Sequence, residues 1–305
     1  MCSSDLKYPK SIVDLLLSSN NHFVLQNDTN IRKRWIYTKG IFSTLALIWE
    51  IRKEKYDFVI DLMDNPSTTS TFFCLFIGGR WNLGLEKEND FVYDVVCPLL
   101  SRQDVHIVER IAQLLIPFGI EAKREQLRSR YSVGSKWNEW IEQYLDTNKL
   151  RNKFRVGINI SAGTDVRFWG IDNFVELLER LSLKHPEFIF VILHKPTDNS
   201  RAQEIADKLG RNCIVSPLTE SFDQFAAMVS RMSFLITPDT SAVHLASAFN
   251  IPSVVMYVQS NKALRIWEPF LSPHKTLISD VDDLKTISAE SACTAVQELL
   301  KEINN

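Results

Sequence analysis

With 305 residues, 45% of them hydrophobic, the chain exceeds what one core ordinarily organises, and two domains of about 150 residues are expected. The 35 Lys and Arg balance 37 Asp and Glu to a formal net charge of −2, which leaves out the pronounced basic surface that nucleic-acid binding needs. Five scattered cysteines (Cys2, Cys74, Cys97, Cys213, Cys293) form no Cys-x-x-Cys pair, and the six histidines lack metal-ligand spacing. Reduced thiols and chemistry without a metal or other cofactor are therefore expected.

Taken from the N-terminus, residues 1–10 introduce no secretory apolar core, and no later run approaches the ~18 to 20 apolar residues that span a bilayer. A cytoplasmic location follows. Arg32-Lys-Arg34 stands beside Trp35, Ile36, Ile41 and Phe42, and a second basic run covers residues 123–130. An anionic membrane surface would attract such a face, although an ordinary solvated face explains it as well. Residues 58–62 have buried-strand composition, with Asp61 near the strand's end and Asp64 on the loop that follows. The polar stretch 143–153 is the expected boundary, dividing the chain into domains 1–147 and 148–305, the second closed by a helix over 289–302.

The second half opens with a buried-strand pattern over 154–160. Next comes the loop Ser161-Ala-Gly-Thr-Asp-Val-Arg-Phe-Trp169. Its small residues Ser161, Ala162 and Gly163 admit close approach of backbone to ligand. Thr164 offers a hydroxyl there, and Arg167 a planar, permanent charge suited to phosphate. A helix follows, with Asp172 at its cap and Phe174, Leu177, Leu178 and Leu181 at helical spacing.

Strands are expected again over 188–193, 233–237 and 253–258. Between the last two, Pro238 ends a strand, Asp239 or Thr240 caps a helix, and Ile251-Pro252 stops it. Such a helix start presents unpaired N–H groups and the positive end of its dipole, so an anion binds there. Ser241 opens the helix, and Thr240 and His244 share one face. The bland alternative makes Asp239 a cap only and His244 a core histidine. Strands alternating with amphipathic helices imply an α/β fold with a parallel sheet in each half, and two phosphate-suited βα turns point to a ligand at the carboxyl ends of the strands.

The pair NISAGTDVRFWGIDNFVELLERL and ITPDTSAVHLASAFNIPSVVMYV resembles glycosyltransferase family 9, the ADP-heptose:lipopolysaccharide heptosyltransferases and their relatives. The second segment is similar to the family's Asp-Thr-x-x-x-His-Leu-Ala signature. The first is similar to its Gly-Ala-x-x-x-Lys/Arg-x-Trp loop, with Arg167 at the basic position and Trp169 at the aromatic one. Upstream, YDFVIDLMDNPSTTSTFFCLFIGGRWNLGL and VHIVERIAQLLIPFGI resemble further family stretches, so the likeness runs over nearly the whole chain. It departs at Asp61-Leu-Met-Asp64, where the family reads Asp-Leu-Gln-Gly, at Ser241 and Val258, which replace glycines, and at the start. Family members open with a strand and a Gly-Asp loop bearing the aspartate thought to act as base, and this chain begins after that point. The N-terminal sheet is therefore expected to lack a strand and to expose an unpaired edge.

The resemblance implies a GT-B architecture, two Rossmann-like domains with parallel sheets facing across a cleft, and inverting transfer of a sugar without a metal. ADP-heptose is the implied donor and a glycolipid or other cell-surface glycan, such as lipopolysaccharide, the implied acceptor; the basic face at Arg32 to Arg34, not the resemblance, is what suggests peripheral contact at the inner membrane. Transfer requires stabilisation of the leaving diphosphate and deprotonation of the acceptor hydroxyl. Ser161, Gly163, Thr164, Arg167, Asp239, Thr240, Ser241 and His244 are the expected donor-binding residues, and Asp64 is the candidate base. Two other readings stand beside this one: a non-catalytic nucleotide-sugar-binding relative, and a nucleotide-sugar epimerase on the same architecture.

Overall fold

The computed structural model describes residues 7–121, 123–210, 212–259 and 265–304, so Cys2 lies outside the described residues. Two units emerge, Met1–Arg128 and Ser129–Asn305. In the first, β1 (Val13–Ser18) and β2 (Ile31–Tyr37) precede the helix α1 (Ile41–Lys53). They are followed by β3 (Phe58–Ile60), α2 (Thr68–Ile77), β4 (Trp81–Leu85), β5 (Val95–Cys97) and the short α3 (Ile107–Ile111).

These five strands do not make one sheet. β1 pairs in parallel with β2, while β3, β4 and β5 form a separate parallel sheet in that order. Both sheets rest on one apolar cluster: Leu16, Trp35, Tyr37 and Val59 pack around Ile48 and Ile51 of α1 and Phe73 and Ile77 of α2. Among the described residues the second edges of β1 and β3 carry no strand. α1 buries Ile48 and Ile51 but turns Ile41, Phe42, Leu45 and Trp49 to solvent, with Phe42 88% exposed.

The second unit contains one sheet of six parallel strands. After α4 (Ser135–Thr147) come β6 (Phe154–Asn159), α5 (Ile171–Lys184), β7 (Phe188–Leu193), α6 (Asn199–Leu209) and β8 (Cys213–Val215). Then follow α7 (Phe222–Ser230), β9 (Phe234–Pro238), α8 (Ser241–Phe249), β10 (Ser253–Val258), β11 (His274–Ser279) and α9 (Ala289–Asn304). The boundary falls ahead of the polar stretch 143–153 because α4 places Ile141 and Leu145 in the core of this unit.

The strand order is β11-β10-β9-β6-β7-β8. α5, α6 and α9 cover one face, where Phe174, Leu177, Leu178 and Leu181 meet Val156, Ile158, Val296 and Leu299. Burying each such side chain is worth about 1.5–3 kcal/mol. α4, α7 and α8 cover the other face around Val191, Leu193 and Leu235. The sheet is thus clad on both sides, which is why its strands read as unbroken apolar runs.

The chain grows outward from β6 to β7 and β8, then returns to β9 on the opposite side of β6. That reversal is a topological switch point, and it opens a crevice beyond the carboxyl ends of β6 and β9. The fold class is α/β with parallel sheets throughout.

Candidate functional site

The two loops singled out in the sequence leave the sheet side by side at this switch point. β9 ends at Pro238, and Thr240 caps α8 by accepting a hydrogen bond from the Ala242 N–H at 3.3 Å. Thr240, not Asp239, is the cap; the Asp239 N–H donates to the Met256 carbonyl at 2.9 Å. Its carboxylate is left to face the other loop, where Arg167 Nη1 lies 3.5 Å from Asp239 Oδ2. Both side chains stay partly open to water. The structure therefore brings a guanidinium, a carboxylate and a helix N-terminus together around the crevice.

Asn159, which the sequence reading passed over, ties these parts. It is the last residue of β6 and buried. Its Nδ2 donates to Thr237 Oγ1 at 2.9 Å and to Thr240 Oγ1 at 3.1 Å, and its Oδ1 accepts from the Ser161 N–H at 3.3 Å. One amide thus fixes the cap of α8 and the start of the Arg167 loop. The available signal was an asparagine ending an otherwise apolar strand, since a buried amide must find partners.

The Arg167 loop is fastened at both ends and open in the middle. At one end Ser161 Oγ donates to Asp198 Oδ2 and accepts from the Lys195 N–H, both at 2.8 Å. At the other, Trp169 is fully buried and donates through Nε1 to the Ile287 carbonyl at 2.8 Å, so the motif's tryptophan is an anchor. Between them Gly163 and Thr164 are exposed, and a Cβ added at Gly163 would meet nothing within 4 Å. Asp172 does not cap the next helix; Gly170, at φ 98°, holds that position and Asp172 lies in the first turn.

Ser241 and His244 are exposed on α8, so His244 is no core residue by surface area. Its ring centre lies 6.4 Å from that of Trp267. The surrounding protein still desolvates the imidazole, which pulls its pKa below the ordinary histidine value, and the Asp239 charge opposes the shift. At neutral pH His244 is a neutral donor or acceptor.

Asp64 belongs to the first unit, on the loop after β3. Its Oδ2 accepts from Arg110 Nη1 at 2.8 Å and from Arg102 Nη2 at 3.1 Å. The strand expected over 58–62 ends at Ile60, and Asp61 anchors the loop from a buried position. Asp61 Oδ2 accepts from Lys87 Nζ at 3.0 Å and Tyr93 Oη at 2.6 Å, while Oδ1 accepts from the Met63 N–H at 3.0 Å. Burial pushes the Asp61 pKa up. The hydrogen bonds from Tyr93, Met63 and Lys87 outweigh it and hold the carboxyl below its ordinary value.

Among the described residues no cluster of three or more His, Cys, Asp or Glu could hold a metal ion, and no helix is long and apolar enough to cross a membrane.

The family model described as glycosyltransferase family 9 (heptosyltransferase) matches residues 44–294. Comparison with curated proteins gives no match. Among solved structures, a glycosyl transferase family 9 protein from Veillonella parvula superposes with a TM-score of 0.78 at 18% identity, over 99% of this chain and 95% of that one. E. coli ADP-heptose lps heptosyltransferase II gives 0.70 at 19% identity, over 99% and 93%. E. coli heptosyltransferase WaaC with ADP gives 0.73 at 15% identity, over 98% and 91%.

Proposed function

The chain belongs to glycosyltransferase family 9, and on that premise we propose that it transfers heptose from ADP-heptose to a glycolipid or other cell-surface glycan such as lipopolysaccharide. The observation that carries the donor half of this reading is the convergence of Arg167, Asp239, Thr240 and the α8 N-terminus at the switch point between β6 and β9. A diphosphate fits such a place: the N–H groups at the start of α8, the Thr240 and Ser241 hydroxyls and the Arg167 fork complement its charge. The nucleotide assignment takes its support from the likeness to a heptosyltransferase solved with ADP.

The reaction has the acceptor hydroxyl oxygen attack the anomeric carbon from the face opposite the diphosphate. The bond from that carbon to the phosphate oxygen breaks, and its electron pair leaves with the nucleoside diphosphate. Asp64 is our candidate to take the hydroxyl proton, while Arg167 and the helix start stabilise the charge gathering on the leaving group. Ser161 and Gly163 shape the loop, Thr164 offers a hydroxyl to the phosphates, and His244 donates to the same group without a charge at neutral pH. Peripheral contact with an anionic inner membrane is part of the proposal, supported by the exposed Ile41, Phe42, Leu45 and Trp49 on a helix that follows Arg32, Lys33 and Arg34.

Calorimetric titration with ADP, UDP and GDP tests the donor site. ADP should bind most tightly, and Arg167→Ala should lose about 1.5–3 kcal/mol of that affinity, the worth of a charge-assisted hydrogen bond. Equal affinity in the variant removes Arg167 from the site; indifference to the base removes ADP as the preferred nucleotide.

A further inference from the structure

Trp267 is 52% exposed, although its own backbone is firmly held. The Trp267 carbonyl accepts from Tyr257 Oη at 3.0 Å, and a little further on the buried Phe270 has its carbonyl accept from Ser247 Oγ at 2.6 Å. Tyr257 belongs to β10 and Ser247 to α8, so the segment is pinned to both elements that adjoin the Thr240 turn. Burial first, then the Asp239 and Glu268 charges, push the Tyr257 pKa up, so its hydroxyl keeps the proton that it donates. The backbone is fixed and the indole is left open.

The indole centre lies 6.4 Å from that of His244, with the two planes at 53°. His244 stands three residues past Ser241, about 4.5 Å along the axis of α8 from the N–H groups that complement a phosphate. Next to Trp267 in the chain, Arg265 Nη2 donates to Glu268 Oε1, and both side chains keep part of their surface in water. An open aromatic face flanked by a guanidinium and a carboxylate suits a sugar ring. Sugar C–H bonds rest against the negative face of a π system, while the hydroxyls donate to a carboxylate and accept from a guanidinium. A nucleobase also stacks, but a ribose separates it from its diphosphate, whereas the sugar of a donor is bonded to the distal phosphate directly. A platform this close to the phosphate-binding turn therefore meets the sugar.

We propose that Trp267 is the platform on which the donor's transferred sugar stacks, with Glu268 and Arg265 hydrogen-bonding its hydroxyls. This rests on the reading of the α8 turn as the diphosphate site given above. Trp267 then determines specificity: it adds affinity for the sugar nucleotide over the nucleoside diphosphate alone, and His244 closes the platform on the diphosphate side.

The test compares ADP with ADP-heptose by calorimetry on the full chain, with no acceptor present. The native chain should bind ADP-heptose more tightly than ADP. Trp267→Ala should lose about tenfold of the ADP-heptose affinity, ~1.4 kcal/mol, and leave that for ADP within about twofold. Trp267→Phe should keep most of the gain, and Glu268→Gln should weaken ADP-heptose alone. If Trp267→Ala folds poorly, the indole Nε1–H resonance of the native chain, assigned through Trp267→Phe, decides the matter: it shifts with ADP-heptose and not with ADP.

Equal losses for ADP and ADP-heptose in Trp267→Ala, no loss for either, or an indole resonance that ADP alone shifts as far, overturn the proposal. UDP-glucose and GDP-mannose are titrated in parallel. If one of these, and not ADP-heptose, gains affinity over its nucleoside diphosphate through Trp267, the heptose reading falls and the sugar platform stands. If no sugar nucleotide binds more tightly than its nucleoside diphosphate, the platform falls, and ADP binding still reports on the donor turn.

Discussion

His244 shows how one residue separates a ligand role from a packing role. Its folded pKa lies below that of the unfolded chain, so its contribution to stability is present above about pH 6.5 and is lost as pH falls through the lower folded value. A bound diphosphate reverses the preference, since the imidazolium is stabilised beside negative charge. ADP affinity should therefore rise as pH is lowered from 7.5 towards 5.5, by more in the native chain than in His244→Gln; ADP's own protonation is common to both. Parallel pH profiles in the two proteins would take His244 out of the site. That the Arg167 loop would stand beside the turn carrying Thr240 was legible in the sequence, because two strand-to-helix turns of one parallel sheet open at the same end of it. Asn159 was not, because its importance lies in two partners, Thr237 and Thr240, that stand some 80 positions away in the chain and next to it only once β6 pairs with β9.

The loop after β3 owes its shape to a buried ion pair, and such a pair is revealed mainly by breaking it. Lys87 and Asp61 are almost wholly enclosed, 3.0 Å apart. Asp61→Ala should destabilise the first unit by about 3–5 kcal/mol, because it leaves the lysine charge buried and uncompensated. Denaturant unfolding measures this, and a loss below ~1 kcal/mol would mean that water already reaches the pair. The native Asp61 carboxyl is held below its unfolded pKa, so its contribution is present above about pH 4 and lost as pH falls through the lower folded value. Element boundaries were read less well than element identities. β3 stops two residues short of the expected end because the chain turns at Asp61, and apolar composition alone does not mark where a side chain will be claimed by Lys87 and Tyr93.

The two units are built to different standards. In the second, a six-stranded sheet is clad with helices on both faces, whereas the first holds two short sheets around small apolar clusters. Amide exchange should therefore be fastest along β1 and β3 and slowest in β6, β7 and β9, following local stability. Uniform protection across both units would show that β1 and β3 are covered in solution. The parallel α/β class was readable from the alternation of strands and helices, and an unpaired edge was expected in the N-terminal sheet. The division into separate sheets of two and three strands was not readable, since pairing is a long-range property that no local pattern encodes. Ile41, Phe42, Leu45 and Trp49 already face water in the native chain. Fluorogenic dyes that brighten on greasy surfaces will thus glow before any heating, and a thermal scan read with them will start high and understate the transition. Differential calorimetry is the better thermometer for this protein, and mild detergent in the buffer is the simple precaution against loss on plastic.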